Sequence, residues 1–246
     1  MNILVTNDDG IAAEGLEDLV AELKKICDPD GKQRHAITVI APDTERSGVS
    51  HGMTLRHPTK VRRLNEGLYS CSGTPADCVI VAGLGVVKDK IDLVVSGINR
   101  GPNLGTDIVY SGTCAAARQA ALAGIPAIAV SCAGNLEPIN YKAAATFVSS
   151  NLNSLLAAWK PDSFVNVNAP SSSEIDLDAV WSKPGRNRYN DTLKCFDGVD
   201  GYTYCFLAEG RQERTPNLLS DHYIVSLGKI ALSLIDINPQ ASHPEA

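Results

Sequence analysis

Two adjacent carboxylates, Asp8 and Asp9, stand in the run Asn7-Asp8-Asp9-Gly10 directly after the apolar residues Ile3-Leu4-Val5. Carboxylates at the end of a buried strand are hard oxygen donors suited to Mg²⁺ or Mn²⁺. The same four residues also make an ordinary turn, since Asp and Gly are common turn formers and Asp often caps a helix. Two further segments carry hard donors: Arg46-Ser47-Gly48 with a hydroxyl, and the stretch from Gly97 to Gly105, which includes Asn99 and Asn103, with amide carbonyls. Ser111-Gly112-Thr113, ahead of an alanine-rich run, offers something different. A helix starting there presents free backbone N–H groups and the positive end of its dipole, which suit a phosphate, and its glycine lets an anion approach. A metal held by acidic residues beside such a terminus is equipment for phosphoryl transfer or phosphate-ester hydrolysis.

A rival reading comes from Gly48-Val49-Ser50-His51-Gly52, which fits the Gly-x-Ser-x-Gly elbow of serine hydrolases. Asp197 and His222 could follow as triad members in the order Ser, Asp, His. An elbow needs a strand before the serine and a helix after it. Here a polar loop precedes, and Met53-Thr54-Leu55 with nearby Pro58 follows. A P-loop is missing, and Gly83-Leu84-Gly85 is followed by Lys88 where a dinucleotide fingerprint requires a third glycine. The five histidines show no zinc-ligand spacing. A third reading is a non-catalytic nucleotide-binding protein, because a fold does not guarantee turnover.

The elements that must position these residues follow from hydrophobic period. Short apolar runs alternate with amphipathic segments, as in βαβ units and a mainly parallel sheet. Strands are predicted at 2–6, 37–41, 91–96, 127–131 and 163–167, and helices at 16–26, from a Thr74 cap to about 83, from Ser111 to about 124, and at 141–159. Residues 53–55 and 61–70 read as extended, the latter as a hairpin beside the main sheet. The loops after the strands share one edge of a parallel sheet, which is where ligands bind in open α/β folds. Residues 97–110 read as one long loop, and a loop of that length without structure of its own is usually functional. After Pro184 the character changes: 192–196 and 202–207 read as a hairpin, and 223–227 and 230–235 as strands. The expected fold is a Rossmann-like, three-layer, doubly wound α/β sheet with a C-terminal hairpin and arm. Residues 1–184 form the catalytic domain and residues 185–246 an extension for oligomer contacts.

At 246 residues the chain is long enough to bury a substantial core. A net charge of −6 without a basic run argues against a nucleic acid polymer as partner. The seven cysteines include no Cys-x-x-Cys pair, and several lie in apolar stretches typical of buried free thiols. Their odd number suits a reducing cytoplasm. No apolar run approaches the roughly 18 residues of a membrane span, and no signal sequence is evident, so a cytoplasmic protein without membrane contact is expected. Aromatic residues are 5% of the chain and none clusters near the loops, so no stacking platform for a base is identified.

Five ordered motifs resemble one known family: Ile3-Leu4-Val5-Thr6-Asn7-Asp8-Asp9-Gly10; Ala41-Pro42-Asp43 with Arg46-Ser47-Gly48; Gly73-Thr74-Pro75-Ala76-Asp77-Cys78; Ser96-Gly97-Ile98-Asn99-Arg100-Gly101-Pro102-Asn103-Leu104-Gly105; and Tyr110-Ser111-Gly112-Thr113. Together they resemble the SurE (stationary-phase survival protein) 5′-nucleotidase family. The resemblance implies hydrolysis of nucleoside 5′-monophosphates to nucleoside and phosphate, with 3′-monophosphates and short polyphosphate as further substrates. It also implies one divalent ion per subunit, Mg²⁺ or Mn²⁺, held by Asp8, Asp9, Ser47 and Asn99. Ser111, Gly112 and Thr113 would contact the phosphate, and Gly48 and Asn103 would line the pocket. Asp8 or Asp9 would serve as base for an attacking water or, alternatively, as a covalent nucleophile. A homodimer or homotetramer exchanging C-terminal elements is implied as well. The family's hairpin sequence is replaced here by Asp197-Gly198-Val199-Asp200-Gly201, although Tyr202, Tyr204 and Gly210 keep its outline.

Overall fold

The computed structural model describes residues 1–134, 138–208, 210, 212–214 and 217–238, with the side chains of 212–214 left out of the description. The chain opens with β1 (Asn2–Thr6), α1 (Glu14–Lys24) and β2 (Ala36–Pro42), then the hairpin β3 (Val61–Asn65) and β4 (Leu68–Cys71). It continues through α2 (Pro75–Val81), β5 (Leu93–Arg100), α3 (Gly112–Leu122), β6 (Ala127–Ala133), α4 (Lys142–Ala158) and β7 (Ser163–Pro170). The remainder comprises β8 (Ala179–Trp181), β9 (Asn187–Tyr189), β10 (Thr192–Asp197), β11 (Thr203–Ala208), β12 (Gln212–Arg214), α5 (Asp221–Ser226) and β13 (Ile230–Asp236).

Nine strands form one sheet in the order β3-β4-β2-β1-β5-β6-β7-β13-β8. From β4 to β7 all neighbours are parallel, while β3 and β13 run antiparallel to β4 and β7. Alternate residues of the central strands face opposite layers. Ile3, Val5, Val95 and Val130 pack with Leu16, Leu19, Val148 and Leu152 of α1 and α4. Leu4, Val94 and Ala129 pack with Val79, Ala116, Ala117 and Ala120 of α2 and α3. The result is the expected three-layer, doubly wound fold. One connection departs from the usual hand: β5 to β6 and β6 to β7 step the same way across the sheet, yet α3 and α4 lie on opposite faces. The β6-α4-β7 crossover is therefore left-handed, against the strong right-handed preference of such units.

Strand order reverses at β1, because β2 lies on one side of it and β5 on the other. The loops that leave β1 and β5 therefore open a crevice at a topological switch point, the usual ligand position in this architecture. Local chemistry sets where those loops begin. Asn7 closes the turn after β1, its side chain accepting from Gly10 N–H at 3.2 Å and donating to Gly10 O at 2.9 Å. Thr74 and Asp77 form a reciprocal capping box at α2, and Ser111 caps α3.

Some expectations change. Residues 223–227 are not a strand: α5 occupies Asp221–Ser226, with Ser220 as its cap. Five residues are too few for period to separate strand from helix, and the cap decides. Residues 53–55 form no strand, and the hairpin 61–70 joins the main sheet through β4. The last sixty residues divide in two. Segments β9 to β12 make the arm, with β10 and β11 paired as expected, whereas β13 returns between β7 and β8. Cys195 and Cys205 face each other across that hairpin in a disulfide, whereas Cys71, Cys78, Cys114 and Cys132 are buried free thiols. Among the described residues no helix is long and apolar enough to cross a membrane.

Candidate active site

Asp8, the first residue of the turn apex, is 3% exposed. Its carboxylate accepts a short hydrogen bond from the Thr113 hydroxyl, one residue inside α3. Burial pushes its pKa up to about 6; the Thr113 hydroxyl opposes this and the neighbouring Asp9 charge adds to it. Asp9 is also raised, chiefly by burial and further by Glu45, while the Arg100 N–H bonded to its carboxylate at 2.9 Å pulls the other way. Two carboxylates held partly out of water, each raised by a negative neighbour, form a site that a divalent cation suits.

Neutral oxygens complete the donor set. The Asn99 amide nitrogen is tied to Gly101 O at 2.8 Å, which leaves its carbonyl oxygen for a cation. The Ser47 hydroxyl donates to Glu45 at 2.9 Å and keeps lone pairs available. Among the described residues no group of three or more His, Cys, Asp or Glu could hold a metal. A cation drawn to the two aspartates would need neutral donors as well, and Ser47 and Asn99 line the same cleft as Asp8.

The start of α3 adjoins the aspartates directly. Ser111 Oγ accepts from Cys114 N–H at 3.0 Å and so settles one of the helix's free donors. Gly112 also has a packing role: a Cβ there would lie 2.9 Å from Asp8 Cβ and Oδ2. Its missing side chain makes room for the aspartate that Thr113 binds. The other glycine that the site requires is Gly97, where a Cβ would lie 2.3 Å from Val130 O. Gly97 stands at the register shift in the parallel pairing of β5 with β6, where the two backbones come this close.

A cleft of about 790 Å³ gathers Asp8, Ser47, Gly48, Asn99, Asn103 and Ser111. Gly112 and Thr113 are buried behind Asp8, and Asp9 lines an adjoining cavity of about 320 Å³; Arg100 borders both. Asn103 is clamped by residues that sequence reading missed. Its N–H donates to Asn168 at 2.8 Å, its amide to Ser131 at 2.8 Å, and its carbonyl accepts from Asn166 and Asn168. The signal was present in Phe164-Val165-Asn166-Val167-Asn168, where two asparagines alternate with valines in a buried strand.

The arm supplies the opposite wall with Asn187 and Tyr189, facing Thr106, Asp107 and Tyr110 of the β5–α3 loop. Tyr189 hydroxyl bonds to Asp107, and Thr106 Oγ1 bonds Asn187 N and O at 3.0 and 3.2 Å. Buried Asp221 adds a second staple, accepting from Gly105 N at 2.7 Å and Gly185 N at 2.8 Å. Ser50, the rival nucleophile, donates its hydroxyl to Val109 O at 2.7 Å, and no helix follows it. Its neighbour His51 is bonded to Gln119.

The family model described as survival protein SurE matches residues 3–191, ending just before β10. A 5′-nucleotidase SurE of Geobacter sulfurreducens is 38% identical over 97% of this chain and 88% of its own length. One of Treponema pallidum is 48% identical over 70% of this chain and 91% of its own. The crystal structure of the SurE protein of Aquifex aeolicus matches with a TM-score of 0.81 at 30% identity, over 98% of this chain and 95% of that one.

Proposed function

The chain belongs to the SurE family, and we propose on that premise that it is a 5′-nucleotidase, a phosphoric monoester hydrolase acting on nucleoside monophosphates. The observation that carries the site assignment is the direct bond between Asp8 and the N-terminal turn of α3, in one cleft with Ser47, Asn99 and Ser111. Asp8, Asp9, Ser47 and Asn99 would hold one Mg²⁺ or Mn²⁺, which supplies charge neutralisation and Lewis acidity at the phosphate. Ser111, Gly112 and Thr113 orient the phosphate at the positive end of α3, with Gly48 and Asn103 beside it. Asp8 and Asp9 carry the catalytic work, one of them accepting the proton of the attacking water. 3′-Monophosphates and short polyphosphate present the same terminal phosphate to these groups.

Residues 1–184 are the catalytic body in this reading and 185–246 the extension. The exposed rings of Phe196, Tyr204 and Phe206, stacked along the hairpin, support exchange of C-terminal elements in a homodimer or homotetramer. Five free cysteines support a cytoplasmic location, and the Cys195–Cys205 bridge speaks against it. The test is phosphate release from 5′-AMP with Mn²⁺. EDTA and dialysis should abolish release, returned Mn²⁺ should restore it, and Asp8→Asn should lack it with an unchanged melting temperature. Activity that survives EDTA would sink the metal assignment.

A further inference from the structure

The cleft is larger than a phosphate needs, and its arm side has its own construction. That side is walled by the arm and by the loop before Tyr110, residues about eighty apart in the chain. It is preorganised, since Thr106 grips the backbone of Asn187 from both sides and Asp107 binds the Tyr189 hydroxyl. One group in it is out of balance. Asn187 is 5% exposed, yet neither its amide nitrogen nor its amide oxygen has a hydrogen-bond partner among the described residues. More than nine in ten buried polar groups are satisfied in folded proteins. A carboxamide with donor and acceptor both unspent matches the paired donor and acceptor on the edge of a nucleobase.

The neighbours of Asn187 narrow the occupant. Tyr110 is 55% exposed and Tyr189 half-buried, and both line the cleft, which puts aromatic side chains within reach of a base. Asp107 and Asp191 add negative charge to this wall, which opposes an extended polyanion and favours a neutral group rich in donors. We propose that Asn187, Tyr110 and Tyr189 form the nucleoside subsite of the cleft, so that the arm selects nucleotides over phosphate esters and polyphosphates without a base. This rests on the nucleotidase reading for its substrate, but the subsite binds nucleoside whether or not turnover occurs.

The experiment titrates the full-length protein calorimetrically with adenosine and, separately, with inorganic phosphate. The wild type should bind both. Asn187→Ala should weaken adenosine about tenfold, the worth of one to two hydrogen bonds, and leave phosphate unchanged. Tyr110→Ala, which alters an exposed ring and leaves the fold intact, should do the same. In parallel, KM for 5′-AMP should rise by the same factor in each variant with kcat held within about twofold, the pattern of lost uniform binding. The proposal is overturned if the wild type does not bind adenosine, if both variants bind it as tightly as the wild type, or if adenosine and phosphate weaken together. A wild-type protein that binds adenosine and hydrolyses nothing would overturn the nucleotidase reading and leave the subsite standing.

Discussion

Replacing Thr113 by Val removes one oxygen from a fully buried side chain and keeps its shape. That oxygen donates to Asp8, so the variant strips a buried carboxylate of its strongest stabilising contact. Hydrogen bonds to charged groups are worth about 1.5–3 kcal/mol, which at 1.36 kcal/mol per pKa unit is roughly one to two units. Asp8 stands at about 6, so its pKa should climb to about 7–8 in the variant. A raised carboxyl pKa keeps the proton on to higher pH, and a protonated carboxyl is a poor cation ligand. At pH 7 the wild-type group is mostly ionised and the variant's is between about half and one-tenth ionised, so apparent Mg²⁺ affinity should fall roughly two- to tenfold. At pH 9 both are ionised and the gap should close. Calorimetric titration of the metal-free protein with Mg²⁺ at the two pH values reads this directly. Equal affinities at pH 7, or the same loss at both pH values, would refute the role given to Thr113.

Gly112→Ala puts a Cβ 2.9 Å from the Asp8 side chain, about half an ångström inside ordinary contact, while favouring the helix by up to about 1 kcal/mol. The melting temperature should hold and kcat/KM for 5′-AMP should fall about ten- to a hundredfold, as for a small misplacement of a reacting group; unchanged kinetics would show that Asp8 yields freely. Asp77 tests the scaffold. Burial pushes its carboxyl up, but bonds from Thr54 and Thr74 outweigh this and hold it below the ordinary 3.8. That contribution is present above the unfolded value and is lost as pH falls through the lower folded one. Asp77→Asn should cost about 1–2 kcal/mol at pH 7 in urea denaturation, with the deficit narrowing near pH 3. An equal deficit at both pH values would mean that charge has no part in it.

Much of the candidate site was legible because its parts are local signals on one edge of a sheet. Period located the strands, parallel strands put their following loops together, and Thr74 and Ser111 announced helix starts through their own side chains. What lay outside the five motifs was harder. Asn166 and Asn168 looked like interruptions in an apolar strand until Asn103 was seen between them. Residues 223–227 misled because an apolar run of that length fits either period. The absence of a recognisable stacking platform reflected distance along the chain: Tyr189 meets Asp107 across a separation of 82 residues.

The sequence by itself determined the α/β class, the donor types at Asp8, Asp9, Ser47 and Asn99, and the helix terminus at Ser111, since each follows from side-chain chemistry within a few residues. Only the tertiary structure decided the left-handed crossover, the return of β13 into the sheet, the arm as far wall of the cleft, and the raised pKa of Asp8. These depend on burial and on contacts between segments as much as 116 residues apart, such as Gly105 with Asp221. Burial is a property of the packed molecule, and a carboxylate's affinity for its proton changes only when the surrounding water has been excluded.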